Sequence, residues 1–244
     1  MTGSQTIGQK LMTSTDKAAD AAPQTPPQTP PKTPEEWRDD LLDAALMHVP
    51  FDGWTATALR RAAADVGLTP EMAELAFPGG AHDVLAFYLE RADQRLATAL
   101  ADQDLPAMRI RDRITTAVRT RLELAAQHRE AARRTVALLA LPHNARLASR
   151  TLYRTVDTMW RAAGDTSTDY NFYSKRAILA GVYSSTLLVW LGDQSEGFAD
   201  TWAFLDRRIA GVMRFEKAKA EWRKATEHMP SLTRFLGRLR YPAG

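Results

Sequence analysis

Five histidines, His48, His82, His128, His143 and His228, are the side chains best suited to hold a metal or move a proton, and they are scattered along the chain. No two stand four residues apart and no Glu-x-x-His occurs, so the carboxylate–histidine helix pattern of di-iron bundles is missing. There is no G-x-S-x-G, no Walker loop and no G-x-G-x-x-G. The absence of cysteine rules out disulfides, zinc–thiolate sites and iron–sulfur clusters. These residues predict no enzyme: no catalytic set, no metal and no cofactor. Asp165, Ser167 and Asp169 mimic positions 1, 3 and 5 of a calcium loop. Tyr170 stands where that loop needs glycine, and Arg176 where it needs a bidentate Glu. Capping of a following helix is the better reading, because short oxygen side chains accept hydrogen bonds from a first helical turn. Asp169, Phe172, Tyr173 and Arg176 then recur at i, i+3, i+4 and i+7, on one helical face. They read either as a core aromatic pair beside a salt bridge or as an exposed aromatic–Arg patch of the kind that dominates protein interfaces.

The element that carries this face is the centre of the chain. Ala177 to Leu191 is apolar or small, with only Ser184, Ser185 and Thr186 as mild interruptions. A membrane span needs roughly 20 such residues; this run is shorter and is flanked by Lys175, Arg176 and Asp193. The run predicts a core helix, apolar on all sides and buried on all sides, with Gly192 as its left-handed closing residue. In the next helix Phe198, Trp202, Leu205, Ile209 and Val212 form one stripe of 3.6-residue period. Two such helices can supply half of a four-helix bundle, a second copy supplying the rest. Trp202, Leu205, Ile209 and Val212 are accordingly expected at a symmetric dimer interface.

The remainder fits one domain with tails. The chain has 244 residues, 45% hydrophobic and 25% charged, with a formal net charge of +3. Residues 1–34 are rich in Pro, Thr and Gln and read as a disordered tail. No apolar stretch near Met1 suggests a secretory signal. Folding is expected to begin at Thr33-Pro34-Glu35-Glu36, a capping box with Pro in the first turn. Trp37, Leu41, Leu42, Ala45 and Val49 give its apolar stripe, and Gly53 ends it. Further helices follow over Thr55 to Val66, from Thr69-Pro70 to Phe77, over Ala81 to about Leu100, continuously over Met108 to Leu141, and over Leu147 to Ala162. With the central pair this makes about nine or ten helices and no convincing strand, an all-α fold. Residues 35–215 form the helical domain. Residues 216–244 form a basic tail: from Arg214 onward eight basic residues face three glutamates, which points to an anionic partner.

The succession helix, Gly53-Trp54-Thr55, helix, Gly67-Leu68-Thr69-Pro70, short helix, Phe77-Pro78-Gly79-Gly80, helix resembles the N-terminal helix-turn-helix of tetracycline-repressor (TetR) regulators. In a DNA-binding member the third helix enters the major groove, and phosphate contacts supply much of the affinity. Here that helix carries Glu71 and Glu74 and no Lys or Arg. A degenerate helix-turn-helix that binds no nucleic acid is expected; a TetR-type transcriptional regulator is the alternative.

A second resemblance is more specific. Leu141-Pro142-His143-Asn144, Met159-Trp160, Gly164-Asp165-x-Ser167-Thr168-Asp169-x-Asn171, Tyr173-x-x-Arg176 and Phe198-x-Asp200-Thr201-Trp202-x-Phe204-Leu205 resemble, in order, the lipid-binding accessory proteins of ubiquinone biosynthesis, the ninth in the coenzyme Q series. The likeness runs from about Trp37 to Phe215. It implies a TetR-like homodimer that no longer binds DNA and holds an isoprenoid quinone intermediate in an apolar pocket. It further implies a partner, the di-iron demethoxyubiquinone hydroxylase, to which the lipid is presented. The resemblance places the docking patch at Met159, Asp169, Phe172, Tyr173 and Arg176, with Leu122 close to a further contact. Phe172 stands where members of that family carry Trp, which keeps an aromatic ring and drops an indole N–H.

The C-terminal end adds a membrane expectation. Leu232, Phe235, Leu236 and Leu239 fall on one helical stripe, with Arg234, Arg238 and Arg240 off it and Pro230 suited to a first turn. A segment this short is not a stable helix alone in water. It is expected to order on an anionic membrane surface, each basic residue contributing about 1 kcal/mol there. Frequent Ala and Arg suggest a bacterial source, so the expected location is peripheral, on the inner face of the cytoplasmic membrane.

Overall fold

The first helix starts where the local chemistry allows it. The structure is a computed structural model that describes residues 32–166 and 170–226. Helix α1 (Pro34–Asp52) is capped by Thr33, whose side chain accepts from the Glu36 N–H while the Glu36 carboxylate accepts from the Thr33 N–H at 2.7 Å. Gly53, at φ 67°, closes it in a left-handed conformation that glycine adopts without a Cβ penalty. The Thr-capped helices α2 (Ala56–Asp65) and α3 (Pro70–Ala76) follow, then α4 (Ala81–Ala101). Leu41, Leu42, Ala45 and Val49 of α1 are buried in a core shared with Leu59 and Ala62 of α2, Ala73 of α3 and Leu85 of α4. The tail expected over residues 1–34 lies outside the described residues up to Pro31.

The expected continuous helix from Met108 to Leu141 is two helices. α5 (Ile110–Glu123) and α6 (Arg129–Leu139) are separated by a tight turn at Ala126–His128. The interruption carries no proline or glycine, so propensity did not mark it; α5 packs on α4 and α9 and α6 on α1, while both meet α7 and α8. α7 (Ala145–Ala162) follows a tight turn at Pro142–Asn144. Then come α8 (Tyr170–Gly192) and α9 (Ala199–Thr226). The second core joins α5, α7, α8 and α9 with the end of α4: Leu100, Val118, Val156, Met159, Leu179, Trp190 and Leu205 lie in it. The described residues form nine α-helices joined by short turns, with no strand.

Two expectations for the central pair are corrected. α8 is not buried on all sides: Leu179, Val182, Tyr183, Thr186 and Trp190 face inward, but Leu188 is 61% exposed and Ala177 and Gly181 are also outside. Gly192 is not left-handed. The end of α8 is held by guanidinium groups of α6 instead: Arg129 donates to the carbonyls of Trp190 and Asp193, and Arg133 to that of Leu191. These satisfy carbonyls that a helix end leaves without partners. Finally, the α9 stripe serves the chain itself. Leu205 and Ile209 are buried at 1% and 6% exposure in the second core, with Trp202 and Val212 packed beside them. Leu205 and Ile209 are thus core residues of this chain, while Trp202 and Val212 are half-buried at its edge.

Asp193 fixes the α8–α9 junction, a role its sequence context did not announce. Its carboxylate accepts from the backbone N–H of Ser195 and Thr201 and from both hydroxyls. Those four bonds hold its pKa well below the usual carboxylate range, because each favours the ionised form.

Candidate functional site: an apolar cavity between five helices

α4, α5, α6, α7 and α8 leave a cavity of about 360 Å³ between them, within the range of pockets that hold small ligands. Its walls are mostly hydrocarbon: Leu89, Leu122, Val136, Leu139, Leu152 and Leu187 line it. Most of its polar side chains are already engaged. Thr155 donates to Asp93 at 2.7 Å, and Asp93 also accepts from Arg154. Thr135 accepts from the Trp54 indole at 2.9 Å and donates to the Ala131 carbonyl. Thr151 donates back to its own helix. Tyr88 and Tyr183 are buried in the wall, and burial raises the Tyr88 pKa against the opposing pull of Arg121. Arg121 is 7% exposed. Burial works against its charge, but Tyr183, Tyr88 and Asp93 outweigh that and raise its pKa. It is a permanent cation in an apolar wall.

The structure separates the residues assigned to a docking patch. Tyr173 is 67% exposed and Phe172 half-buried, their rings edge-to-face with centroids 5.1 Å apart. Arg176 is corrected: it is not a surface residue but 3% exposed. It binds Asp157 of α7 at 2.7 Å and Asp165 of the α7–α8 connection at 3.1 Å, and donates to the Phe172 carbonyl. Its guanidinium lies 3.4 Å from the centre of the Phe172 ring. Of the two sequence readings of this face, each holds in part: a buried ion pair beneath, an exposed aromatic above. Met159 and Leu122 are corrected as well, at 0% and 1% exposure; Met159 packs in the second core and Leu122 is a wall of the cavity. Asp169, with Ser167, lies outside the described residues, as do Leu232, Arg234, Phe235, Leu236, Arg238 and Leu239. Asp165 is occupied by Lys175 at 2.8 Å and by Arg176, cations where a calcium loop would place its metal. Among the described residues no three His, Cys, Asp or Glu side chains converge to hold a metal ion, and no helix is long and apolar enough to cross a membrane.

The helix order and the cavity define the class. This is a TetR-like helical protein with an apolar pocket, and the fold superposes with a TM-score of 0.61 on the TetR transcriptional regulator of Nitrosomonas europaea ATCC 19718, at 22% identity, over 72% of this chain and 97% of that one. Residues 145–216 match the COQ9 family model, and the chain is similar to COQ9 proteins over most of its length. It is 36% identical over 186 residues to the mitochondrial ubiquinone biosynthesis protein COQ9 of Bos taurus and 37% identical over 186 residues to that of Homo sapiens, in each case over 73% of this chain and 58% of the relative. The protein of the same name from Drosophila melanogaster is 33% identical over 70% of this chain and 54% of its own. The match thus spans less than two thirds of these relatives' length. The likeness that the motifs around Met159, Asp165, Tyr173 and Trp202 carried is borne out.

Proposed function

We propose that this chain is a non-catalytic lipid-binding protein of ubiquinone biosynthesis. It holds an isoprenoid quinone precursor in the α4–α8 cavity and presents it, at a membrane surface, to the di-iron demethoxyubiquinone hydroxylase. The carrying observation is the apolar cavity, found in a chain similar to proteins named for ubiquinone biosynthesis. Organic extraction of the purified protein followed by mass spectrometry tests it: a co-purifying isoprenoid lipid is expected, and a protein that yields none and binds none on addition would end the proposal. The fold likeness to a TetR regulator favours DNA binding less, because α3 exposes Glu71 and Glu74, carboxylates that repel phosphate.

Docking of the hydroxylase is assigned to the exposed aromatic face of α8, with Tyr173 as its centre and Arg176 as the residue that positions it. A Tyr173→Ala variant should change folding stability by less than about 0.5 kcal/mol, as for other surface substitutions, and weaken hydroxylase binding by about 2 kcal/mol. Titration calorimetry and a thermal melt read the two. A large loss of stability would make Tyr173 a core residue; unchanged binding would move the interface elsewhere.

Membrane association is assigned to the amphipathic segment at 230–240. In flotation on anionic vesicles the full chain should rise with the lipid and a chain lacking residues 229–244 should not. Equal flotation would place the contact elsewhere.

A further inference from the structure

Arg121 is a buried cation in the cavity wall that carries a donor the protein leaves unmatched. Its Nε is buried without a hydrogen-bond partner, although a buried donor left unmatched is costly. No ion pair to Arg121 occurs among the described residues, and Asp93, whose charge acts on it, is already committed to Arg154 and Thr155. On its far side a second cavity of about 20 Å³ is lined by Arg91, Arg95 and His128. Of these, Arg91 is paired with Asp39, Arg95 reaches Asp43 only at 3.5 Å, and His128 has its pKa lowered by burial. The second cavity has room for a single water. Such a water can take the Nε–H but brings no charge. The rest of the main cavity wall is mostly hydrocarbon, with its threonine hydroxyls already engaged. A buried cation in such surroundings persists when a partner anion or a strong oxygen acceptor completes it.

We propose that Arg121 is the head-group anchor of the cavity: the ligand is an amphiphile whose apolar tail fills the leucine-lined space and whose oxygen-bearing head, a carboxylate or a ring oxygen of a phenol or quinone, accepts from the Arg121 guanidinium. This inference rests on the lipid-binding reading and adds polarity and orientation to it. The head lies at the α4–α5 wall beside Tyr88, and the tail runs toward Leu139, Leu152 and Leu187 between α6, α7 and α8. It also sets selectivity, because a site built around a buried donor discriminates against ligands that cannot pair with it.

The test uses the full chain and three probes of similar length: decanoate, 4-octylphenol and decane. Binding is read by quenching of intrinsic tryptophan fluorescence and by the ligand-induced shift of the thermal melt. For the wild type, the two headed probes should bind at least about tenfold more tightly than decane. Arg121→Met should remove that advantage while leaving decane unchanged. Exchanging the buried cation for an apolar side chain of similar length should leave the melting temperature of the ligand-free protein level or higher. Arg121→Gln, which keeps a donor and loses the charge, separates the two heads: decanoate should weaken in it, and 4-octylphenol should hold if a ring oxygen is the natural head. It also serves should Arg121→Met fail to fold. If Arg121→Met, or Arg121→Gln in its place, binds all three probes as the wild type does, the anchor is wrong and the lipid pocket stands. If the wild type binds none of the probes, the pocket reading falls and the anchor with it.

Discussion

A Leu205→Asp variant should lose about 4 kcal/mol or more of folding stability. Leu205 is 1% exposed and sits between α8, α9 and α5 in the second core. Replacing a buried aliphatic side chain by a small one costs about 2–5 kcal/mol, and a carboxylate there has no cation to answer it, which adds a desolvation cost. Ile209→Asp, at 6% exposure, should behave in the same direction. A urea titration reads the midpoint shift. Light scattering on the folded fraction supplies the contrast. If the stripe were an intermolecular contact, the mass would fall to that of one chain while the chain kept its stability. α8 and α9 also leave an outer surface that includes the small residues Ala177 and Gly181, the exposed Leu188 and Phe215 and the half-buried Trp202 and Val212.

The same two helices show which parts of the structure were legible in the sequence. Local signals were read correctly where a single turn decides them. The Thr33–Glu36 capping box and the helix end at Gly53 both form, and helices begin at Thr55 and Thr69 as read, because each boundary depends on groups within four residues of it. The period of the α9 stripe was also right. What period cannot tell is which partner an apolar face meets: of the stripe assigned to a second copy, Leu205 and Ile209 are buried in the chain's own core. Apolarity of α8 was likewise overread: small residues such as Ala177 and Gly181 count as hydrophobic in composition but sit outside. The break between α5 and α6 carries no proline or glycine and left no mark. The cavity could not be found at all, since its walls come from five helices that touch only after folding. Arg121 was missed for the same reason. It is one of many arginines in the sequence, and only the loss of water around it makes it distinct.

The docking face depends on a buried pairing that the sequence placed on the surface, and a second substitution exposes it. Arg176→Met should cost about 3 kcal/mol of stability. Its guanidinium bridges Asp157 and Asp165, whose side chains are 17% and 4% exposed, and it braces the Phe172 carbonyl and ring. Removing one member of a buried ion pair costs about 3–5 kcal/mol, because the remaining charge stays without its counterion. The lower end applies here, since Asp165 keeps Lys175 at 2.8 Å and Asp157 keeps Arg161 at 2.7 Å. Arg176→Lys should recover only part of the loss: an ammonium is a point charge, and it cannot reach two carboxylates with the planar fork that guanidinium offers. Adding Asp157→Asn to Arg176→Met should cost less than the two single losses combined, as expected when two contacting residues share one interaction. Denaturant melts of the four proteins read these differences. A loss below about 1 kcal/mol for Arg176→Met would show that the pairing contributes no more than an exposed surface bridge does. Hydroxylase binding adds the functional contrast. Tyr173→Ala should weaken docking without touching the melt, whereas Arg176→Met should lower both together, because Arg176 acts on the interface only by holding the first turns of α8 against α7.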